Sequence, residues 1–156
     1  MTTLETVARD TLRTGAIATA ATTLAVAALG EAEEGQPIAP VNAVSHIAWG
    51  DKAARHTSAS LKYTLTGALL NAAAVGSWAM IHSFLFARSR RAPSPAAALV
   101  SGTAVSALAY VTDYHVVPRR LTPGFEKRLS GRSLLAVYTV LAVGLAAGAL
   151  TRPRAT

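Results

Sequence analysis

The sequence predicts an all-α, polytopic membrane protein with four transmembrane helices and one or two short interfacial helices. Four stretches, residues 14–30, 63–87, 96–112 and 133–151, contain no Asp, Glu, Lys or Arg. Each is long enough to cross the ~30 Å hydrocarbon core of a bilayer as a helix that rises ~1.5 Å per residue. Hydrophobic residues make up 51% of the chain, which is high for a soluble protein, and the charges lie between the apolar stretches. We expect one integral membrane domain over residues 1–156.

The first predicted span covers residues 13–30 and ends at Gly30, because glycine commonly terminates helices. A cleaved signal peptide is the alternative, since residues 25–27 (Ala-Val-Ala) resemble a signal-peptidase site. Glu5 and Asp10 lie where a signal peptide carries positive charge. A retained helix is therefore favoured.

The polar connection at residues 31–60 follows the first span and begins with an acidic run. Asn42 is predicted to cap a short helix over residues 43–55, because asparagine is a preferred N-cap residue. Asp51 and Arg55 would form an i,i+4 ion pair on that helix. We expect this helix to lie on the membrane surface or to dip into it.

The second and third predicted spans cover residues 61–87 and 96–114. A tight basic hairpin at residues 88–95, whose basic residues lie at 88–91, joins them, and its two prolines end one helix and start the next. This hairpin is the shortest predicted loop of the chain.

The second polar connection, residues 115–132, leads to the fourth predicted span at residues 133–151. Thr122 followed by proline resembles a helix N-terminus, so a short basic helix is predicted over residues 124–129. The tail at residues 152–154 contains proline and is predicted to stop the fourth helix.

The distribution of basic residues leaves the orientation nearly undecided. An N-terminus inside the cell places seven basic residues in the cytoplasm: Arg9, Arg13, Arg88, Arg90, Arg91, Arg152 and Arg154. It places eight outside: Lys52, Arg55, Lys62, Arg119, Arg120, Lys127, Arg128 and Arg132. The dense cluster in the shortest loop favours an internal N-terminus in the cell inner (cytoplasmic) membrane. Insertion in both orientations is the alternative.

The two polar connections lie on the same membrane face in any arrangement of four spans. Together they hold the candidate polar site: His46, Asp51, His56, Asp113, His115, Arg119 and Arg120. Imidazole and carboxylate groups suit a divalent metal, with His46, Asp113 and His115 as candidate ligands, but no metal-binding spacing is present. A second interpretation is acid–base catalysis on a lipid, with Arg119 and Arg120 holding a phosphate. The competing interpretation is that these side chains make local contacts at headgroup level.

The composition excludes several classes of site and of partner. The chain has no cysteine, which excludes disulfides, thiolate catalysis and cysteine-ligated metals. The net charge of +7 is explained by contact with anionic lipid headgroups rather than with nucleic acid. No cofactor is predicted. His82 has no second histidine at a similar depth to bind haem with it, so an interior hydrogen bond is expected.

Small residues recur at a four-residue spacing in the last two predicted spans. Gly144 and Gly148 form a GxxxG pair, and Gly102 and Ser106 form a related pair. Such pairs let helix backbones approach closely. Packing within the chain is the main interpretation, and a homodimer contact is the alternative.

Three functions remain open from the sequence. The leading hypothesis is a non-enzymatic accessory, scaffold or stress-related membrane component that meets the lipid bilayer and a membrane protein partner. The second is a metal-binding, phospholipid-headgroup-binding or catalytic site on the face of the two connections. The third is a small transporter formed by an antiparallel homodimer, which the near-equal charge distribution motivates.

Overall fold

The computed structural model describes residues 3–86 and 93–151, and these residues form an all-α fold, which confirms the all-helical part of the prediction. The α-helices are α1 (Thr3–Glu34), α2 (Ala39–Val44), α3 (His46–Trp49), α4 (Asp51–Ala54), α5 (Thr66–Phe86), α6 (Pro95–Val111) and α7 (Gly131–Leu150). A π-helical turn, Leu61–Leu65, leads into α5, and a second, Thr112–Val116, extends α6. Two 3₁₀ turns, Arg119–Leu121 and Phe125–Lys127, lie before α7.

Four segments are long and apolar enough to cross a membrane. They are Leu4–Glu34, Leu61–Leu85, Pro95–Val116 and Gly131–Leu150. Most of their large apolar side chains face outward, and Leu24 and Leu135 are about 70% exposed (71% and 69%).

The four long helices pack in the spatial order α5, α1, α7, α6. Helix α1 contacts both α5 and α7 along its length, and α6 packs mainly on α7. Helices α5 and α6 follow each other in the chain but share few contacts. The bundle therefore leaves a gap between α5 and α6.

Small residues allow the close approach of these helices. A Cβ added to Gly144 would lie 2.8 Å from the Ala18 Cα, and one added to Gly102 would lie 2.3 Å from the Ala142 carbonyl oxygen. Gly148 lies equally close to Thr14 of α1. The predicted small-residue pairs of α6 and α7 thus contact other helices of the same chain.

Helix α1 is longer than predicted at both ends. It begins at Thr3 and continues past Gly30 to Glu34. Gly30 does not end the helix. It instead allows close packing against α2, because a Cβ there would lie 2.7 Å from the Pro40 ring. The positive φ of 63° occurs instead at Gly35, directly after the helix.

The predicted helix over residues 43–55 is wrong in its bounds. The chain forms three short helices, interrupted at Ser45 and at Gly50, where φ is 74°. All six residues of α2 are buried, whereas Trp49 of α3 and Asp51 of α4 are exposed. Asn42 lies within α2 and does not cap it, and Asp51 pairs with Lys127 and not with Arg55.

The second connection also differs from the expectation. Thr122 does not cap a helix, because its hydroxyl oxygen lies 2.6 Å from the Glu126 Oε1 and 3.0 Å from the Arg119 carbonyl oxygen, and Gly124 precedes the next turn. Residues 124–129 contain a single 3₁₀ turn, and Ser130 starts α7 separately as its N-cap. The basic residues of the hairpin, 88–91, and the C-terminal tail predicted at residues 152–154 lie outside the described residues.

Substitution of two helical glycines by alanine distinguishes close packing from open space. We expect Gly102→Ala to destabilise the protein by about 1–3 kcal/mol, because the new methyl group would overlap the Ala142 carbonyl. Gly76→Ala is the matched control, since no atom lies within 4 Å of a Cβ at that position. It should be neutral or stabilising by up to about 1 kcal/mol, because alanine favours helix. Unfolding in mild detergent, followed by circular dichroism, measures both, and equal effects would contradict the packing.

Candidate functional site

The two polar connections dock on each other at one end of the bundle. We call the docked unit, residues 35–60 and 117–130, the cap. Its apolar contact joins Val41 and Val44 of α2 to Phe125 of the second connection, together with the ends of the long helices. The cap is therefore a packed element and not a pair of separate loops.

Asn42 is the buried polar centre of the cap. Its Nδ2 donates to the carbonyl oxygens of His56 at 2.8 Å and Ser58 at 2.9 Å, and its Oδ1 accepts from the Thr64 hydroxyl at 2.6 Å. One fully buried side chain thus ties α2 to the segment that leads into α5.

The acidic end of α1 binds the start of α7. Glu33 accepts hydrogen bonds from the Ser130 backbone NH at 2.8 Å and from the Ser133 hydroxyl at 2.5 Å. Its neighbour Glu34 forms an ion pair with Arg128 at 3.0 Å. A carboxylate beside the N-terminus of a helix is favoured by the free backbone NH groups there.

An ion pair joins the two connections on the outside of the cap. The Lys127 Nζ lies 2.8 Å from the Asp51 Oδ1. The hydrogen bond and the charge of Lys127 hold the pKa of Asp51 below its usual value. A lowered folded-state pKa means that this contribution to stability is present at neutral pH and is lost only as the pH falls through that pKa.

The two cap histidines make local contacts. His46 is 97% buried (3% exposed), and its Nδ1 donates to the Ala43 carbonyl at 2.9 Å. Gly124 passes over this ring with a φ of 86°, and a Cβ there would lie 2.8 Å from the His46 Nδ1. His56 contacts the Ser58 hydroxyl at 3.2 Å and the Tyr63 ring at 4.9 Å between centroids.

Asp113 lies in the π-helical turn that extends α6. Its Oδ2 accepts a hydrogen bond from the Tyr138 hydroxyl of α7 at 2.6 Å. The Tyr138 ring also contacts Tyr110 and Tyr114, with centroid distances of 5.3 and 6.0 Å. His115 is exposed and packs on Tyr110 at 5.7 Å, so the turn directs it away from the Asp113–Tyr138 pair.

The predicted site residues do not form one constellation. Arg119 and Arg120 are exposed, and Asp51 is engaged with Lys127. Within residues 3–86 and 93–151, no three His, Cys, Asp or Glu side chains are close enough to hold a metal ion. The structure therefore does not bring His46, Asp113 and His115 together as ligands.

His82 lies at the end of the bundle opposite the cap and is fully buried. The predicted interior hydrogen bond is present, since its Nε2 lies 3.0 Å from the Ser101 hydroxyl oxygen of α6. The Ser101 hydroxyl itself donates to the Ala98 carbonyl at 2.9 Å. The contact joins the ends of α5 and α6 where the basic hairpin connects them.

A cavity of about 90 Å³ lies beneath the cap, between α5, α7 and the π-helical turn that extends α6. Val44 and Phe125 of the cap form its roof, and side chains of α5 and α7 form its walls. Asp113 and Tyr138 are among its few polar lining residues. The candidate site of this fold is therefore the cavity, to which only Asp113 of the predicted residues contributes.

Three important side chains were missed by sequence reasoning: Asn42 as a centre of hydrogen bonds, Glu33 as a cap of α7, and Tyr138 as the partner of Asp113. The acidic run at residues 31–34 was a usable signal, because the second connection carries the basic pair Lys127-Arg128, and Arg128 pairs with Glu34. Tyr138 carried no such signal, since one tyrosine in an apolar helix resembles a packing residue.

Comparisons of the chain with protein-family models, with curated proteins and with solved structures found no match. The geometry of the cap and the cavity alone therefore supports the functional proposals.

We expect Asn42→Ala to destabilise the protein by about 2–3 kcal/mol, because it leaves two carbonyl groups and the Thr64 hydroxyl without their partner. Gln36→Ala is the control, since that side chain makes no hydrogen bond in the described part of the chain. Thermal unfolding in mild detergent provides the measurement. A midpoint for Asn42→Ala equal to that of Gln36→Ala would show that the cap does not depend on this side chain.

Proposed function

We propose that the chain is an integral protein of the inner (cytoplasmic) membrane that crosses the bilayer four times with its N-terminus inside. In this proposal it acts as a non-catalytic accessory or scaffold component. The main support for this proposal is the distribution of side chains. Large apolar groups such as Leu24, Leu69 and Leu135 face outward, whereas the polar side chains of Thr22 and Ser106 face inward. Soluble proteins rarely expose apolar patches larger than a few hundred Å², whereas a bilayer covers such a surface.

Aromatic and basic side chains at the cap support an interfacial position for it. The Lys62 ammonium lies 4.6 Å from the centre of the exposed Trp49 ring and 5.3 Å from that of Tyr63. Tryptophan, tyrosine and lysine are the residues that favour the headgroup region. This cluster marks the level at which α5 would enter the membrane.

The contacts of the cap support a structural role. Asn42, Glu33 and Asp51 hold the two connections together, and His46 and His56 contact neighbouring groups of the same chain. A general base or a ligand needs a free atom directed at a substrate. Most polar groups of this face are instead engaged in holding the fold, and among the ring nitrogens of the two cap histidines the buried His46 Nε2 has no hydrogen-bond partner within residues 3–86 and 93–151.

The same ion pairs support the proposed orientation. Lys127 and Arg128 are paired with Asp51 and Glu34, so these two basic residues have a structural role on the external face. These ion pairs thus explain why Lys127 and Arg128 occur in the second connection, without requiring that they determine the membrane orientation. The cluster at residues 88–91 then remains the main determinant of orientation.

Cysteine labelling tests the membrane location sharply, because the natural chain has no cysteine. Val143→Cys is the decisive variant: residue 143 is 52% exposed on α7, yet the proposal places it in hydrocarbon. A membrane-impermeant maleimide should therefore label it only after denaturation. Ala59→Cys, exposed in the cap, is the matched control and should react at once in intact cells. Equal rates for the two variants in intact membranes would contradict insertion.

Two further variants test orientation. Gly131→Cys, near the cap, should react in intact cells, and Thr151→Cys, at the opposite end, should react only after permeabilisation. The reverse pattern would overturn the internal N-terminus while leaving the four spans in place. Partial labelling of both variants from outside would favour the antiparallel homodimer, and with it the transporter hypothesis, over the accessory role.

A further inference from the structure

The cavity beneath the cap is large enough for part of an organic molecule. A cavity needs roughly 10–15 Å³ to hold one water molecule. This cavity has about 90 Å³ and is therefore several times larger. Its wall on α5 extends over residues 70–78, which rise by ~12 Å along the helix axis. The space is therefore a slot that begins under the cap and continues inward, with the dimensions of a segment of one alkyl chain and not of a fused-ring cofactor.

The lining of the slot is mostly apolar, and most of its polar groups have partners in the protein. Asn71 donates to the Thr23 hydroxyl at 3.1 Å, and Thr22 donates to the Ala18 carbonyl at 2.8 Å. These side chains are satisfied without a ligand. An apolar wall with few unsatisfied polar groups suits a lipid-like tail.

Asp113 differs from the other polar lining groups. It accepts one hydrogen bond, from Tyr138, and no Lys, Arg or His nitrogen of the described residues lies within 4 Å of it. The nearby Glu126 adds a second negative charge to its surroundings. A partly buried carboxylate without a cation is unfavourable, and such groups in apolar surroundings mark functional sites.

The backbone at Asp113 is also unusual. Helix α6 widens here into a π-helical turn, in which the Val117 NH bonds to the Thr112 carbonyl at 3.0 Å. Single π-helical turns are rare and occur frequently at functional sites. In this turn Asp113 reaches Tyr138 and the slot, while His115 packs on the outer face of Tyr110.

We propose that this slot binds a single-chain amphiphile with a cationic ammonium head. The ammonium group lies at the Asp113 carboxylate beside the Tyr138 ring, and the alkyl tail follows α5 towards Trp78. The carboxylate supplies the counter-charge that the chain itself does not provide there, and an aromatic ring face attracts ammonium groups. The size of the slot limits the tail to one chain.

The site goes beyond the accessory role proposed above, and only its route of entry rests on that proposal. Helices α5 and α6 share few contacts, so we infer that an amphiphile in the bilayer would enter between them without passing the cap. Binding itself is measured in detergent, where it does not depend on how the protein is oriented in a membrane. Failure of binding and failure of insertion are therefore separate results.

The test uses tryptophan fluorescence, because the chain has only two tryptophans. Trp49→Phe leaves Trp78, at the deep end of the slot, as the single reporter. The probe is dodecyltrimethylammonium brominated at the last carbon of its tail, since bromine quenches tryptophan on contact. In nonionic micelles we expect saturable quenching at a concentration at least tenfold lower than for the equally brominated dodecanol. Equal curves for the two probes would overturn the cationic head.

Variants at Asp113 test the role of the carboxylate in the Trp49→Phe background. Asp113→Asn should lose the tenfold preference for the ammonium probe, and Asp113→Glu should restore part of it. A preference that persists in Asp113→Asn would overturn the assignment.

A pair of neighbouring alanines keeps the test valid if Asp113→Asn does not fold. Ala74 lines the slot and Ala73 does not, and both are exposed on α5. Ala74→Leu should block quenching by the ammonium probe, and Ala73→Leu should leave it unchanged. Equal quenching in these two variants would show that the probe binds elsewhere.

Two classes of ligand carry such an ammonium head: a simple alkylammonium ion and a single-chain lipid with an ammonium headgroup. Brominated lysophosphatidylcholine provides the second arm. Its phosphate would lie near Asp113 and Glu126, so we expect it to bind more weakly than the alkylammonium probe while still depending on Asp113. Tighter binding of the lysolipid, with the same dependence, would identify a headgroup site. Binding of either probe without dependence on Asp113 would contradict the proposal.

Discussion

The burial of α2 is the contact on which the rest of the structure depends. This helix has only six residues, yet all of them are buried, and it touches α1, α5 and the 3₁₀ turn at Phe125. A helix this short has no stability of its own, so its packing and the bonds of Asn42 must hold it. Helix α2 belongs to the first connection and packs on Phe125 of the second, so it joins the two connections into one cap. Val44 of α2 and Phe125 also form the roof of the cavity.

The second consequence of the packing is the gap between α5 and α6. Glycine lets α7 approach both α1 and α6 closely, and α6 packs mainly on α7 and shares fewer contacts with α5. The resulting slot combines an apolar wall with Asp113, a carboxylate that has no cation of the described chain beside it. The same feature that weakens the contact between two helices thus provides the space that we assign to an amphiphile.

Much of the fold was predictable, since long uncharged stretches mark helices regardless of context. The starts of α5 and α7 were predicted to within a few residues, because the change from polar to apolar sequence is a local signal. The end of α1 at Gly30 was wrong, since that glycine serves a contact with Pro40 that only the tertiary structure reveals. Asn42 was misread for the same reason: an asparagine that caps a helix and one that joins distant segments look alike in sequence. Asp113 was among the polar candidates predicted from the sequence, but its partner Tyr138 and the slot depend on how four helices pack.

Disulfide cross-linking of the cap tests the central claim most directly, and the cysteine-free chain makes it simple to read. Val44 and Phe125 belong to one buried cluster, although they lie on different connections. The double variant Val44→Cys/Phe125→Cys should form an intramolecular disulfide on mild oxidation in native membranes, whereas Val44→Cys/Thr151→Cys should not. A double variant that stays reduced, while both cysteines react with an alkylating reagent after denaturation, would show that the two connections do not form one cap.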